Sequence, residues 1–164
     1  MPSKTASKKA VKQATAPALT PLEQARRIAD ALCRAAHECY HQHERSARVF
    51  ERSQVPAEEQ AAEAICAVCD DVLATLTTDY EQIAARLRPD AVDVEWWHRA
   101  NALWLASREF TRRHRSGDAA SRGGAKHAAH ELESMHVEFE LEASSLLALR
   151  QACEDYSRAR PDAL

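Results

Sequence analysis

The sequence is short of helix-breaking residues and of segments that could cross a membrane. Only three of its 164 residues are glycine, and all three lie between positions 117 and 124. No apolar run approaches about 18 residues and no hydrophobic segment follows the first residues, so we expect neither a membrane span nor a secretory signal. The five cysteines are an odd number, which in such a chain favours reduced thiols in the cytoplasm over a disulfide framework.

Motifs of common enzyme classes are also missing. Gly123 and Gly124 are followed by Ala125 and Lys126, without the spacing of a phosphate-binding loop. No serine lies in the Gly-x-Ser-x-Gly context of a hydrolase nucleophile. The sequence therefore predicts a protein that is not an enzyme.

Alanine, the residue with the highest helix propensity, is abundant instead. The 33 alanines are spread through segments of helical periodicity, and no alternating pattern typical of strands is present. Pro21, Pro56, Pro89 and the glycine-containing stretch 116–124 divide the chain into four segments of similar length. We predict an all-α protein, an antiparallel up-down-up-down four-helix bundle over residues 21–160. The predicted helices span about 21–53, 57–88, 90–116 and 125–158.

The third predicted helix holds all three tryptophans and one of the three phenylalanines. On a helix its apolar residues fall within an arc of roughly 140°, so we predict that this face lies in the core. The face consists of Val92, Trp96, Trp97, Ala100, Leu103, Trp104, Ser107 and Phe110. The alternative is that the paired tryptophans line a ligand pocket or stack on a base.

The first two helices have apolar stripes of their own. The stripe of the first is predicted to bury Leu22, Ala25, Ile28, Ala29, Leu32, Ala36, Cys39, Tyr40, His43, Ala47 and Phe50. That of the second is predicted to bury Ala61, Ile65, Val68, Cys69, Val72, Leu76, Tyr80, Ile83 and Leu87. Apolar residues outside the main faces of helices three and four, such as Val94 and Leu105, suggest a self-association surface.

Residues 1–20 differ from the rest of the chain. They carry Lys4, Lys8, Lys9 and Lys12 with no acidic residue and no apolar periodicity, which predicts a disordered basic tail. The other 144 residues carry 18 basic and 25 acidic side chains. The tail is therefore either a solubilising arm or a contact to nucleic acid through the four lysines, which the acidic domain would oppose.

A metal site is suggested by the height of four side chains in the predicted bundle. His43 lies about six residues past the middle of helix one, and Cys66, Cys69 and His136 lie about three to six residues before the middles of helices two and four. Antiparallel packing places all four at one level, and two thiolates with two imidazoles suit tetrahedral zinc. The alternatives are ordinary core positions, or a redox role for the Cys66 and Cys69 pair.

The Glu-x-x-His spacing of di-iron bundles also occurs twice, at Glu38 and His41 and at Glu133 and His136. About one such match is expected by chance from this composition, so the spacing is uninformative. Three functional hypotheses remain. The first is a non-enzymatic cytoplasmic bundle that acts through protein contacts, including self-association. The second is a zinc-binding bundle, and the third is a nucleic-acid-associated protein tethered by its tail.

Overall fold

A computed structural model describes residues 18–87, 94–123 and 130–160, without the side chains of 94, 116–123, 130–139, 141 and 142. Within these residues the chain forms four helices and no strand, which confirms the predicted all-α four-helix fold. The helices are α1 (Pro21–Arg52), α2 (Pro56–Ala84), α3 (Val94–Gly123) and α4 (His130–Ala159). The predicted disordered tail and its four lysines lie outside the described residues, apart from positions 18–20.

The N-terminus of α1 is closed by a capping box. Thr20 Oγ1 accepts a hydrogen bond from the Glu23 backbone N–H, and the Glu23 carboxylate accepts one from the Thr20 N–H at 2.8 Å. These bonds satisfy two backbone groups that the first turn leaves without helical partners. Pro21 follows at the first helical position, where no N–H is needed.

Side-chain contacts give the direction of neighbouring helices. Between α1 and α2, Ser46 contacts Cys66 and Cys39 contacts Asp70; between α2 and α3, Tyr80 contacts Asn101 and Asp70 contacts His114. Between α1 and α4, Asp30 contacts Tyr156 and Tyr40 contacts Arg150. In each case the later residue on one helix meets the earlier one on the other, so these helices are antiparallel. This is the relation that an up-down-up-down bundle requires.

The tryptophan-containing face of α3 lies in the core, as predicted. Trp96, Ala100, Leu103, Ser107 and Phe110 are buried. Trp97 and Trp104 are partly buried and pack against the same core, while Val92 lies outside the described residues. Leu32, Leu73, Tyr80, Leu149 and Tyr156 from the other helices complete the interior. Aromatic side chains of α2, α3 and α4 thus fill much of the interior.

The predicted face of the second helix is confirmed only in part. Tyr80 is buried, and Cys69, Leu76, Ile83 and Leu87 pack against the core, but the prediction is wrong for the first half of the helix. Ile65, Val68 and Val72 were expected inside, yet they are 46%, 63% and 45% exposed. The buried residues of α2 are instead Ala62, Cys66, Asp70, Leu73, Thr77 and Tyr80. The helix is rotated so that smaller and more polar side chains face α1 and α3. Small residues permit close helix approach, and hydrogen bonds compensate the buried polar groups, so this face packs in spite of its lower hydrophobicity.

Several helix boundaries also differ from those predicted. The third helix continues through Gly117 to Gly123 instead of ending near residue 116. A glycine inside a helix costs only about 1 kcal/mol relative to alanine, and Ala119, Ala120 and Arg122 favour continuation. The predicted helix start at Asp90 and the stretch 124–129 lie outside the described residues. None of the described helices combines the length and hydropathy needed to cross a membrane.

Candidate metal centre

Asp70 is a carboxylate buried between three helices. It lies on the inner face of α2 and is only 3% exposed. His43 of α1 donates a hydrogen bond from Nε2 to Asp70 Oδ1 at 3.2 Å, and His114 of α3 donates one from Nε2 to Oδ2 at 2.9 Å. Each carboxylate oxygen therefore has an imidazole partner, and each partner comes from a different helix.

A thiol lies beside this group. Cys39 is one helical turn before His43 on α1, and its Sγ lies 3.6 Å from Asp70 Oδ1. One ligand atom each from Cys39, His43 and Asp70 lies within 4.8 Å of the other two. Within the described side chains these three residues form the one group of this kind. A sulfur, a nitrogen and an oxygen donor therefore converge in the bundle interior.

Phe110 forms the apolar wall of the cluster. Its ring centroid lies 5.1 Å from that of His43 in an edge contact and 5.9 Å from that of His114 in a stacked one. The two imidazole centroids are 4.7 Å apart and nearly perpendicular. Since the phenyl ring fixes the planes of both imidazoles, their Nε2 atoms stay directed at the carboxylate.

The electrostatics keep Asp70 ionised. Burial is the largest single influence and raises the pKa of Asp70, because a charged carboxylate loses its hydration. The hydrogen bonds from His114 and His43 act in the opposite direction and together outweigh burial, so the pKa of Asp70 lies below its ordinary value. The cluster thus holds a buried negative charge with nitrogen donors on both sides.

The neighbouring thiol stays protonated in this environment. Burial strongly raises the pKa of Cys39, and the negative charge of Asp70 raises it further. A cation placed among these groups would reverse both effects, because it would favour the thiolate and compensate the carboxylate.

The donor atoms are close to the spacing of a tetrahedral site. A zinc ion with bonds of about 2.0–2.3 Å separates neighbouring ligand atoms by about 3.3–3.8 Å. The measured separations from Asp70 oxygens are 3.6 Å to Cys39 Sγ, 3.2 Å to His43 Nε2 and 2.9 Å to His114 Nε2. Cys39, His43 and Asp70 thus offer a sulfur, a nitrogen and an oxygen within 4.8 Å of one another, while His114 contacts the second carboxylate oxygen.

The structure brings together only part of the set that was predicted from helix heights. His43 belongs to the cluster. Cys66 is buried on α2 and donates its thiol hydrogen to Ser46 Oγ at 3.1 Å, and Cys69 is half-buried next to Asp70 in the sequence. Neither belongs to the group of converging donors around His43. The side chain of His136 lies outside the described residues.

The sequence prediction did not include Cys39, Asp70 or His114 in the site. In the structure His114 lies about six residues past the middle of α3, as His43 does on α1, and both imidazoles contact Asp70. The predicted third helix ended near residue 116 and put His114 at its end, whereas the helix continues to Gly123. Asp70 gave no signal either, because a charged residue next to an apolar stripe is normally expected in solvent.

Comparisons with known proteins add no assignment to this geometry. No protein-family model matches the chain, and no curated protein or solved structure is significantly similar to it.

Proposed function

We propose that this protein is a non-enzymatic, cytoplasmic metal-binding bundle that holds a zinc-type divalent ion at Cys39, His43, Asp70 and His114. The observation that carries the proposal is the buried Asp70 carboxylate, which two imidazoles and a thiol surround inside the bundle. A buried carboxylate is expensive to desolvate, and two other helices, α1 and α3, contribute the groups around it.

The chemistry of the donors selects the kind of ion. Magnesium and calcium prefer oxygen ligands only, whereas zinc accepts sulfur, nitrogen and oxygen together. Four protein ligands fill a tetrahedral zinc ion and leave no position for water, which is the pattern of structural sites and not of catalytic ones. The donor set therefore supports metal binding without catalysis.

Protons are coupled to the binding that we propose. Cys39 carries its proton without metal, because burial and Asp70 raise its pKa. Only the thiolate binds zinc, so the ion must displace this proton. His43 and His114 must also present unprotonated Nε2 atoms in place of the N–H groups that now face Asp70. Zinc affinity should therefore rise with pH and should be accompanied by proton release.

The test is a zinc titration of the full chain after treatment with a chelator, followed by calorimetry in two buffers of different ionisation heat. We expect one zinc ion per chain and a binding heat that depends on the buffer because protons are released. Asp70→Asn keeps the shape of the side chain but removes its charge, and should lower the affinity at least about 100-fold, or about 3 kcal/mol. Equal affinity in Asp70→Asn, or no zinc binding by the wild type, would contradict the proposal.

Two further variants separate this site from the set predicted by helix heights. Cys66→Ser and Cys69→Ser each remove a thiol near the cluster without touching its four donors. We expect both to bind zinc as the wild type does. If they lose zinc while Asp70→Asn retains it, the ligands are those of the sequence prediction, with His43, Cys66, Cys69 and His136.

A second candidate function, protein contact by self-association, is favoured by the outer face of α2. Ile65, Val68 and Val72 are spaced by three and four residues, so they form one stripe along the helix, and all three are exposed. Adjacent exposed apolar residues on one helix mark a contact surface more often than isolated ones do. We propose that this stripe packs against the same stripe of a second copy.

Light scattering coupled to size-exclusion chromatography tests this candidate. The wild type should show a mass that rises with concentration toward that of a dimer, and Val68→Glu should remain a monomer because a charge at the centre of the stripe opposes its burial. Glu63→Lys changes an exposed residue outside the stripe and serves as the control. A monomeric wild type at all concentrations would refute self-association through α2.

A further inference from the structure

A pair of cysteine thiols far from the metal centre joins α1 to α4. The Sγ atoms of Cys33 and Cys153 are 3.1 Å apart, and the Cys153 thiol donates to the Cys33 carbonyl oxygen at 3.0 Å. The two side chains are 0% and 2% exposed. Since each sulfur also approaches the carbonyl oxygen of the other residue, the two helix backbones come close at this point.

A hydroxyl group completes the pair. Ser157, one turn after Cys153 on α4, places its Oγ 3.2 Å from Cys33 Sγ. The hydrogen bond from Cys153 lowers the pKa of Cys33, burial opposes this effect, and the hydrogen bond from Ser157 assists it. The pair therefore gives up one proton more readily than an isolated buried thiol. The remaining proton stays on Cys153, because the hydrogen bond with Cys33 and burial both raise the pKa of Cys153.

A small cavity lies beside the pair. Its volume is about 70 Å³, and Cys153 lines it together with His37, His41 and Arg150. A few tens of Å³ suffice for a molecule the size of water, so a peroxide can fit next to Cys153.

We propose that Cys33 and Cys153 are a redox modification site, at which a peroxide converts the two thiols into a disulfide between α1 and α4. The sulfur atoms need to approach by about 1 Å to reach a disulfide bond length of about 2.05 Å. Two of the other three cysteines have different immediate partners: Cys39 contacts Asp70, and Cys66 contacts Ser46. The geometry therefore singles out one of the possible pairs.

The reaction oxidises two thiols and reduces one peroxide. The Cys33 thiolate attacks one oxygen of hydrogen peroxide and becomes a sulfenic acid, while the other oxygen leaves as hydroxide and takes up the proton that Cys33 gave up, forming water. The Cys153 sulfur then attacks Cys33 Sγ. The sulfenic oxygen leaves with the Cys153 proton as a second water, and the disulfide remains.

The disulfide would connect residues that are 120 positions apart. Closing so long a loop restricts the unfolded chain and should raise the melting temperature by roughly 10 °C. It would also tie α1, which packs against α2, to α4, which packs against α3. Oxidation is thus expected to fix the two helical pairs of the bundle to each other.

The test treats the full chain with hydrogen peroxide, alkylates the remaining thiols and maps the tryptic peptides without reduction. Trypsin places Cys33 alone in peptide 28–34 and Cys153 alone in peptide 151–158, so a linked product of these two peptides identifies the pair. We expect the thiol count to fall from five to three, the melting temperature to rise, and dithiothreitol to reverse both changes. Five remaining thiols, or a disulfide between other cysteines, would overturn the proposal.

Matched variants test whether Cys33 and Cys153 are the cysteines that form the disulfide. Cys33→Ala should retain its other thiols after peroxide and show no rise in melting temperature, whereas Cys66→Ala with Cys69→Ala should form the linked peptides as the wild type does. A disulfide that disappears in the second variant and not in the first would also overturn the assignment. Because the readout is a peptide link in the wild type, it is independent of zinc binding. The proposed disulfide and the proposed metal centre can therefore be refuted independently of each other.

Discussion

The two faces of α2 differ in polarity, and the more polar face is the one that lies in the core. This is the reverse of what is usually expected of an amphipathic helix. The outer face exposes Ile65, Val68 and Val72, while the inner face buries Asp70 and Thr77 beside Leu73. Burial of the three apolar residues would remove more apolar surface from water, by about 25 cal/mol for each Å². The helix nevertheless packs with its more polar face inward.

The difference shows that hydrophobicity alone does not orient this helix. The inner face offers what the neighbouring helices require: small side chains at Ala62 and Cys66 for close approach to α1, and a carboxylate that satisfies two imidazoles. Proteins usually avoid burying a charged side chain and also avoid exposing a stripe of apolar ones. Each of these arrangements on α2 therefore indicates a function. We connect the inner face to metal binding and the outer face to self-association.

The largest expected effect comes from removing the polar centre of the inner face. Asp70→Ala removes the interior carboxylate that both His43 and His114 contact and should lower the free energy of unfolding by about 3–5 kcal/mol. Asp71→Ala is the matched control, because Asp71 is exposed and bonds Arg115 at the surface; it should change stability by less than about 1 kcal/mol. Urea unfolding at neutral pH measures both. Equal losses in the two variants would refute the special role of the inner carboxylate.

An adjacent pair of apolar residues tests the orientation of the helix itself. Leu73 is fully buried and Val72 is 45% exposed. Leu73→Ala should cost about 3 kcal/mol because it leaves a cavity in the core. Val72→Ala should cost no more than about 0.5 kcal/mol in dilute protein. If Val72→Ala is the more damaging of the two, α2 is packed with the opposite face inward, as the apolar stripe predicted.

Protonation of Asp70 at low pH provides another test of the inner face of α2. The pKa of Asp70 in the folded protein lies below 3.8, so its carboxylate contributes stability that is fully present above about pH 4. This contribution is lost as the pH falls through the lower folded value. Wild type should therefore lose more stability than Asp70→Asn between neutral pH and pH 3, as followed by urea midpoints. Parallel losses would show that Asp70 is not held ionised by its partners.

The smallest expected effect lies on the outer face. Val68→Ser should change the stability of dilute protein by less than about 0.5 kcal/mol, because the side chain is already in solvent. At high concentration the wild type should melt at a higher temperature than the variant, since association stabilises the folded form by mass action. Thermal melts across a concentration series measure this difference. Superimposable melts at every concentration would argue against self-association.

The sequence predicted the helices and the core of α3 well, for physical reasons. Proline and capping residues fix the start of α1, and the aromatic residues of α3 are so large that only the interior can bury them together. The orientation of α2 was not accessible in this way. Its apolar stripe is genuine, but choosing between two faces requires knowledge of the surfaces on α1 and α3 that receive it.

The candidate site was accessible only in part. Helix heights included His43 in the predicted site, but they placed His114 near the end of its helix, because the predicted third helix ended near residue 116 instead of at Gly123. Cys39 and Asp70 depend on the rotation of α1 and α2 about their axes, which periodicity misassigned for α2. A buried aspartate is also recognisable only after its partners are known.

The visible spectrum of the protein with cobalt(II) tests most directly whether Asp70 and its neighbours form a metal centre. Cobalt replaces zinc in tetrahedral sites and reports both geometry and ligands in the visible spectrum. We predict intense tetrahedral bands with a sulfur-to-cobalt charge-transfer band that Cys39→Ser removes and that Cys69→Ser leaves unchanged. A weak octahedral spectrum identical in wild type and Cys39→Ser would contradict the account.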